Sequence, residues 1–236
     1  MAQNDLSIVT GASRGIGKGI ALRLAKEGHD LMLFGRAKSA LEEVNQEVLS
    51  FGVKTEMFLG DAADSNFVHE SVYKIIKSYG KVDHLINNAG MGILKKFVES
   101  NLDEFKKQID VNLYGVYNFT KAVLDHMIAN RKGSIINISS LAGKNAFVGG
   151  TMYGATKHAL MGFTKSLMLE VREYNVRVAA ICPGSVDTDF NPNRSIIPER
   201  RNIILPEDVA ETVLLVLKMP IRSLVSEIDI RPTNPK

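Results

Sequence analysis

Cysteine is almost missing from this 236-residue chain. Cys182 stands alone, so no internal disulfide can form, and a reducing compartment such as the cytoplasm suits the sequence. Long apolar runs are missing too. The most apolar late stretch, Val213–Leu217, is stopped by Lys218 and Pro220, far short of the ~18 residues that a membrane-spanning helix needs. The opening MAQNDLSIVT has no basic segment followed by an apolar one, so it does not read as a secretory signal. Charge of one sign is scarce: the formal net charge is +3, and Lys and Arg alternate with Asp and Glu. No basic block marks a nucleic-acid or membrane partner. His29, His69, His84, His126 and His158 are scattered without metal-ligand spacing, so each reads as surface or core and no metal is expected.

What is present is the composition of a globular protein, 45% hydrophobic and 23% charged. Short β-rich runs alternate with longer helical patterns. Strands are predicted at Leu6–Thr10, Asp30–Gly35, Lys54–Leu59, His84–Asn87, Ser134–Ser139, Val176–Cys182 and Glu227–Arg231. SIVT, LMLF and VRVAAI are nearly continuous apolar segments, the pattern of strands buried on both faces. Helices are predicted at Ile16–Glu27, Ser39–Ser50, Ser65–Tyr79, Asp103–Asn130, Met152–Glu173 and Pro206–Lys218. No repeat, linker or low-complexity tract interrupts them. The alternation predicts one α/β domain over residues 1–236. It is a doubly wound, Rossmann-type sheet of about seven mostly parallel strands with helices on both faces.

The first strand runs into TGASRGIGKGIA. Gly11, Gly15 and Gly17 form a G-x-x-x-G-x-G turn, with Ser13, Arg14 and Ile16 between them, at the start of a helix. Glycine lets the backbone approach a ligand closely, and the helix start offers free N–H groups, so the turn suits a phosphate. No Lys-Ser/Thr pair closes it, which excludes a nucleotide-hydrolysing P-loop. A dinucleotide fold that prefers NAD(H) places an acid at the end of the second strand. Here the only acid, Asp30, stands at the other end, about 17 Å away at strand rise. Gly35 occupies the expected position and Arg36 follows. With Arg14, that makes two guanidinium groups suited to a 2′-phosphate, which points to NADP(H) rather than NAD(H).

A phenol and an ammonium sit four residues apart in YGATK, at Tyr153 and Lys157, on one face of a predicted helix. A cation beside a phenol favours phenolate and lowers its pKa, so the pair could exchange protons near neutral pH.

These segments together resemble the short-chain dehydrogenase/reductase family along nearly the whole chain: TGASRGIG (10–17), GDAAD (60–64), NNAG (87–90), VNLYGVY (111–117), INISSLAG (136–143), YGATK (153–157) and CPGSVDT (182–188). The resemblance implies that Tyr153 is the general acid/base and that Lys157 lowers its pKa and binds the nicotinamide ribose. It makes Ser140, thirteen residues before Tyr153, the hydrogen-bond donor to the substrate oxygen. Ser139 is off by one and should point elsewhere. Asn112 matches an asparagine that anchors a water leading to the lysine. Asp61 and Ala62 would contact adenine. Asn88, Ala89 and Gly90 would line the cofactor cleft, and Pro183, Gly184, Val186 and Thr188 would touch the nicotinamide and its phosphate side.

The resemblance further implies hydride transfer between NADPH and a small carbonyl or alcohol, which could be carrier-bound, and a homodimer or homotetramer. Residues 189–205, with Arg194, Arg200 and Arg201, are the expected substrate loop, and its arginines suit an anionic substrate. The ending SEIDIRPTNPK lacks the family's common glycine-rich finish and resembles the subgroup acting on 3-hydroxy acids. The resemblance as a whole implies a substrate among 3-oxoacyl thioesters or 3-hydroxy acids, and the ending points to the second. Two alternatives stay open: a catalytically silent dinucleotide-binding regulator, and a sugar-nucleotide epimerase or dehydratase of the extended relatives. Intact Ser140, Tyr153, Lys157 and Asn112 argue against the first. The glycine spacing and the lack of a large C-terminal domain argue against the second. Arg131 and Lys132 are expected to be a solvated helix end, or a contact for an acidic carrier or a coenzyme phosphate.

Overall fold

A computed structural model of the chain describes residues 4–190 and 203–233. Its seven strands are β1 (Leu6–Thr10), β2 (Asp30–Gly35), β3 (Thr55–Leu59), β4 (His84–Asn87), β5 (Gly133–Ile138), β6 (Val176–Pro183) and β7 (Glu227–Ile230). They form one sheet in the order β3-β2-β1-β4-β5-β6-β7, and every pairing is parallel. The predicted strands all form, with ends shifted by a residue where strand boundaries are soft.

Strand side chains alternate between faces, so each apolar strand fills two cores. Val9, Leu33, Ile86, Ile136 and Ile181 face one helix layer: α1 (Gly15–Lys26), α2 (Lys38–Leu49) and α7 (Pro206–Lys218). Leu6, Ile8, Met32, Leu85 and Ile135 face the other. That second layer is α3 (Ser65–Tyr79), α5 (Gly115–Ala129) and α6 (Thr151–Val171). The helix ends follow local chemistry. The Asp64 carboxylate accepts from Asn66 N and Phe67 N at 3.0 and 3.1 Å, which starts α3. Pro206 opens α7, and Asp208 reaches back to accept from Leu205 N at 2.8 Å.

One expectation is corrected. Asp103–Asn130 is not a single α-helix. It divides into α4 (Leu102–Ile109), a π-helical turn at Asp110–Tyr114, and α5. A π turn inserts a residue and rotates the helix beyond it, which here turns the Asn112 side chain inward. Its Oδ1 accepts from Met91 N at 2.8 Å, while Nδ2 donates to Met91 O at 2.9 Å and to Thr156 Oγ1 at 3.0 Å. Hydrophobic spacing registers both segments as helix and cannot show the extra residue between them.

The topology places the binding crevice. From β1 the chain winds outward through β2 and β3, then returns to start β4 on the other side of β1. Loops leaving β1 and β4 therefore diverge at the sheet's carboxyl edge, where open α/β sheets hold ligands. Most of the expected substrate loop, 189–205, lies outside the described residues, but its two ends are tied. Asp187 N donates to Ile204 O at 2.8 Å, and Ile204 N to Ser185 O at 3.2 Å. The basic pair is also tied internally: Arg131 bonds Glu173 O at 2.8 Å and Lys132 bonds Asp83 at 2.6 Å. Among the described residues no helix is long and apolar enough to cross a membrane.

Ile86 on β4 is fully buried at the centre of one core. Ile86→Ala is expected to cost about 2–5 kcal/mol of stability. Thermal unfolding should show it as a fall in Tm of roughly 2–4 °C per kcal/mol. An unchanged Tm would contradict the two-sided packing of this strand.

Candidate active site

The β1–α1 turn is held open by β4. Thr10 Oγ1 accepts from Asn88 N and Ala89 N, both at 2.9 Å. Asn88 Nδ2 donates to Thr10 O at 3.0 Å and Gly11 O at 3.2 Å. Gly11 has φ +64°, a left-handed conformation open to glycine. Gly17 sits behind the turn, and a Cβ there would run into the Gly11 carbonyl and the Asn88 amide. Arg14 precedes α1 without capping it, and the first helical turn carries no acid. The N–H groups of that turn thus keep their positive end for an external anion, which fits a diphosphate-bearing ligand.

At the far end of the cleft β2 stops at Gly35, and Arg36 projects beside Asp61 with a 3.3 Å ion pair. Both side chains are largely exposed, so Arg36 can turn to another anion at little cost. Asp30 is fully engaged elsewhere: it accepts from Asn4 Nδ2 and Lys54 N at the opposite edge of the sheet. Ala62 is positioned through its carbonyl, which accepts from Asn118 Nδ2 at 3.0 Å.

The hydroxyl pair assembles from β5 and α6. Ser140 follows β5 in an extended conformation, its Oγ accepting from Ala142 N at 3.1 Å. Its hydroxyl also donates to Pro183 O at 3.5 Å and lies close enough to the Tyr153 phenol to favour its ionised form. Ser139 lies on the other side of the backbone, near Gly143, and its buried Oγ finds no partner among the described residues. Lys157, one turn after Tyr153, donates to Ile138 O at 3.0 Å and stands 5.8 Å from the centre of the Tyr153 ring. A Cβ on Gly90 would lie 3.4 Å from Asn112 Oδ1 and 3.8 Å from Lys157 Nζ, so the asparagine and the lysine flank this glycine.

The electrostatics correct the expectation of a lowered phenol. Tyr153 is pushed up to about 12, because burial strips water from the phenolate; the Ser140 hydrogen bond pulls the other way and loses. Lys157 is pushed down to about 8 by the same burial. Its ammonium is directed at the Ile138 carbonyl rather than at the phenol oxygen. In the protein alone the tyrosine is a neutral acid.

These groups share one cleft of about 980 Å³. It is lined by Gly11, Ser13, Arg14, Gly15, Ile16, Arg36, Asp61, Ala62, Asn88, Ala89, Gly90, Ser140, Tyr153, Lys157, Pro183, Gly184, Val186 and Thr188. Gly17 and Asn112 stand behind the wall and shape it. The cleft also holds Leu94, Phe147 and Arg231, which sequence reasoning did not assign to it, and Phe190 from the start of the expected substrate loop. Phe190 leans over Tyr153 with ring centres 5.7 Å apart, and a Cβ on Gly92 would meet its ring at 2.8 Å. No motif carries that contact, which joins α6 to two segments distant from it in sequence. Phenol ionisation, followed by ultraviolet difference absorption between the native chain and Tyr153→Phe, should show no Tyr153 phenolate until near pH 12. Ionisation below the ordinary phenol value of 10.0 would contradict the assigned burial.

The family model of the short chain dehydrogenases matches residues 6–196. An uncharacterized oxidoreductase of Staphylococcus aureus (strain MRSA252) is 35% identical over 229 residues, 97% of each chain. A 3-oxoacyl-(acyl-carrier-protein) reductase of Chlamydia muridarum (strain MoPn / Nigg) is 37% identical over 196 residues, 81% of this chain and 78% of the reductase. Among solved structures, an alcohol dehydrogenase of the archaeon Thermococcus sibiricus, complexed with 5-hydroxy-NADP, superposes with a TM-score of 0.90. It is 31% identical and covers 98% of this chain and 97% of its own. Sheet order, glycine turn and these matches agree, and the chain belongs to the short-chain dehydrogenase family of oxidoreductases.

Proposed function

We propose that the chain is a cytoplasmic, NADP(H)-dependent oxidoreductase working as one dinucleotide-binding domain over residues 1–236. It interconverts a carbonyl and a secondary alcohol, on substrates of the 3-oxoacyl thioester or 3-hydroxy acid class. The observation that carries the reading is the Ser140–Tyr153 hydroxyl pair, set in the same cleft as an uncapped, anion-ready helix start. The 5-hydroxy-NADP complex of the archaeal relative supports the cofactor, and the chlamydial reductase supports the substrate class.

When bound, the nicotinamide would supply the hydride. The residues of this chain do the rest. Gly11, Ser13, Gly15, Ile16 and Gly17 would hold the diphosphate, while Arg14 and Arg36 would bind the 2′-phosphate. Asp61 and Ala62 would contact the adenine, Asn88, Ala89 and Gly90 would line the cofactor cleft, and Pro183, Gly184, Val186 and Thr188 would hold the nicotinamide end. Ser140 donates to the substrate oxygen, and Tyr153 gives that oxygen its proton as negative charge develops there. A neutral phenol is the form this step requires. Lys157 contributes positive charge beside the phenol once the phenol has lost its proton, and Asn112 ties the Met91 backbone to Thr156 on α6. Leu94, Phe147 and Phe190 exclude water from the substrate end and favour an apolar chain next to the reacting carbon. Exposed Leu102, Tyr114 and Tyr117 along the α4–α5 face support pairing of two copies there.

Tyr153→Phe is expected to keep NADPH binding and to lose turnover by about 10²–10⁴-fold, in line with removal of an acid/base group. The check is NADPH oxidation across 3-oxoacyl thioesters, 3-hydroxy acids and simple ketones. Undiminished turnover would remove the mechanism, and tight NADPH binding with no turnover by the native chain on any substrate would favour the regulator. Arg36→Ala should weaken NADPH roughly tenfold to hundredfold by loss of a charged hydrogen bond. NADH should be nearly unaffected, and equal losses by titration calorimetry would contradict the 2′-phosphate assignment.

A further inference from the structure

The opposite edge of the sheet carries a second cluster that the chemistry of the cleft does not use. Asp5 immediately precedes β1, His29 immediately precedes β2, and His84 opens β4. These three strands are neighbours, and β1 pairs with β4 through Ser7 and His84. The spacing of the histidines along the chain gives no hint of this; parallel pairing alone brings them together. One donor atom from each residue lies within 4.8 Å of the other two. The imidazole rings are 5.4 Å apart and tilted by 37°.

We propose that Asp5, His29 and His84 form a binding site for a divalent transition metal of the zinc type. Two imidazoles and one carboxylate suit Zn²⁺, Ni²⁺ or Cu²⁺ rather than Mg²⁺ or Ca²⁺. Bonds of about 2.0–2.2 Å around a tetrahedral ion place its donors roughly 3.4 Å apart, so the cluster closes by an ångström or so on binding. Three features support the assignment beyond proximity. Ser7 Oγ bonds His29 Nδ1 at 2.8 Å, which orients that ring and leaves its Nε2 open, as an outer partner does for a metal-bound histidine. Nδ1 of His84 is buried without a hydrogen-bond partner among the described residues, while its Nε2 makes only a long 3.4 Å contact to Asp5 Oδ2. Both histidines are more than nine-tenths buried, on backbone held by the sheet, so little ordering remains for a metal to impose.

Lys132 is the competing cation, 3.4 Å from Asp5 Oδ1. Its shorter bond is to Asp83 Oδ1 at 2.6 Å, so it keeps a partner when a metal takes Asp5. Asp83 is held by Lys81, by Lys132 and by Leu6 N, and stays outside the donor set. Asp5 is partly exposed, which leaves room for a water as fourth ligand.

The test is calorimetric titration of Zn²⁺ into the full chain after chelator treatment, with Co²⁺ absorption as an independent report of ligand type. The expected result is one equivalent of zinc per chain, a raised Tm, and a Co²⁺ spectrum of nitrogen and oxygen ligands. Affinity should fall about tenfold or more in Asp5→Asn and in His29→Gln. NADPH oxidation by Asp5→Asn should be unchanged, because the cluster lies at the far edge from the cleft. Absence of zinc binding at micromolar concentrations would overturn the proposal. So would native affinity in Asp5→Asn, a half-exposed change that decides the matter if His29→Gln fails to fold.

Discussion

Parallel strands that part at their carboxyl ends leave backbone groups without sheet partners, and the fork between β1 and β4 is where this chain meets that constraint. Thr10 and Asn88 resolve it by hydrogen-bonding across the fork, side chain to backbone in both directions. An unpaired buried amide is costly, so the arrangement is strongly held. Its consequence is a gap whose walls are backbone and whose floor is Ala89 and Gly90. The glycine turn can present N–H groups there only because it is braced from the neighbouring strand. The cleft, the hydroxyl pair and the arginine end all take their positions from this fork.

Burial, rather than pairwise charge, sets the protonation of Tyr153 and Lys157. The cleft strips water from Tyr153 and Lys157 together, and each moves toward its neutral form. A phenol that holds its proton is primed as a donor, and a lysine near 8 can gain or lose its charge at modest cost. Any anionic ligand seated at the α1 start changes this balance by bringing charge into a region of low dielectric.

The two edges of the sheet divide the labour. The carboxyl edge is built from glycine, alanine and hydroxyls, with few charges close to the hydroxyl pair. At the amino edge Asp5, Asp83, Lys81 and Lys132 interlock around two histidines. The π turn beside Met91 belongs to the first edge: it brings a polar amide inward where an α-helix would have turned it away. Phe190 bridges the cleft mouth, and the small Gly92 is what lets its ring reach Tyr153.

The sequence by itself determined the strands and their double-sided burial, since apolar runs such as SIVT and VRVAAI are a local signal. It also located the glycine turn and the Tyr153–Lys157 pair, both short-range patterns, which the fold brings into one cleft. Tertiary structure alone decided the rest. The inward turn of Asn112 depends on one inserted residue that hydrophobic periodicity does not register. The direction of the Tyr153 shift depends on how much water the assembled walls exclude, which no i,i+4 spacing encodes. Phe190 over Tyr153, and His29 beside His84, are contacts between segments far apart in the chain. They exist because parallel strands bring distant residues to a common edge, so their physical cause lies in the topology and not in any local stretch.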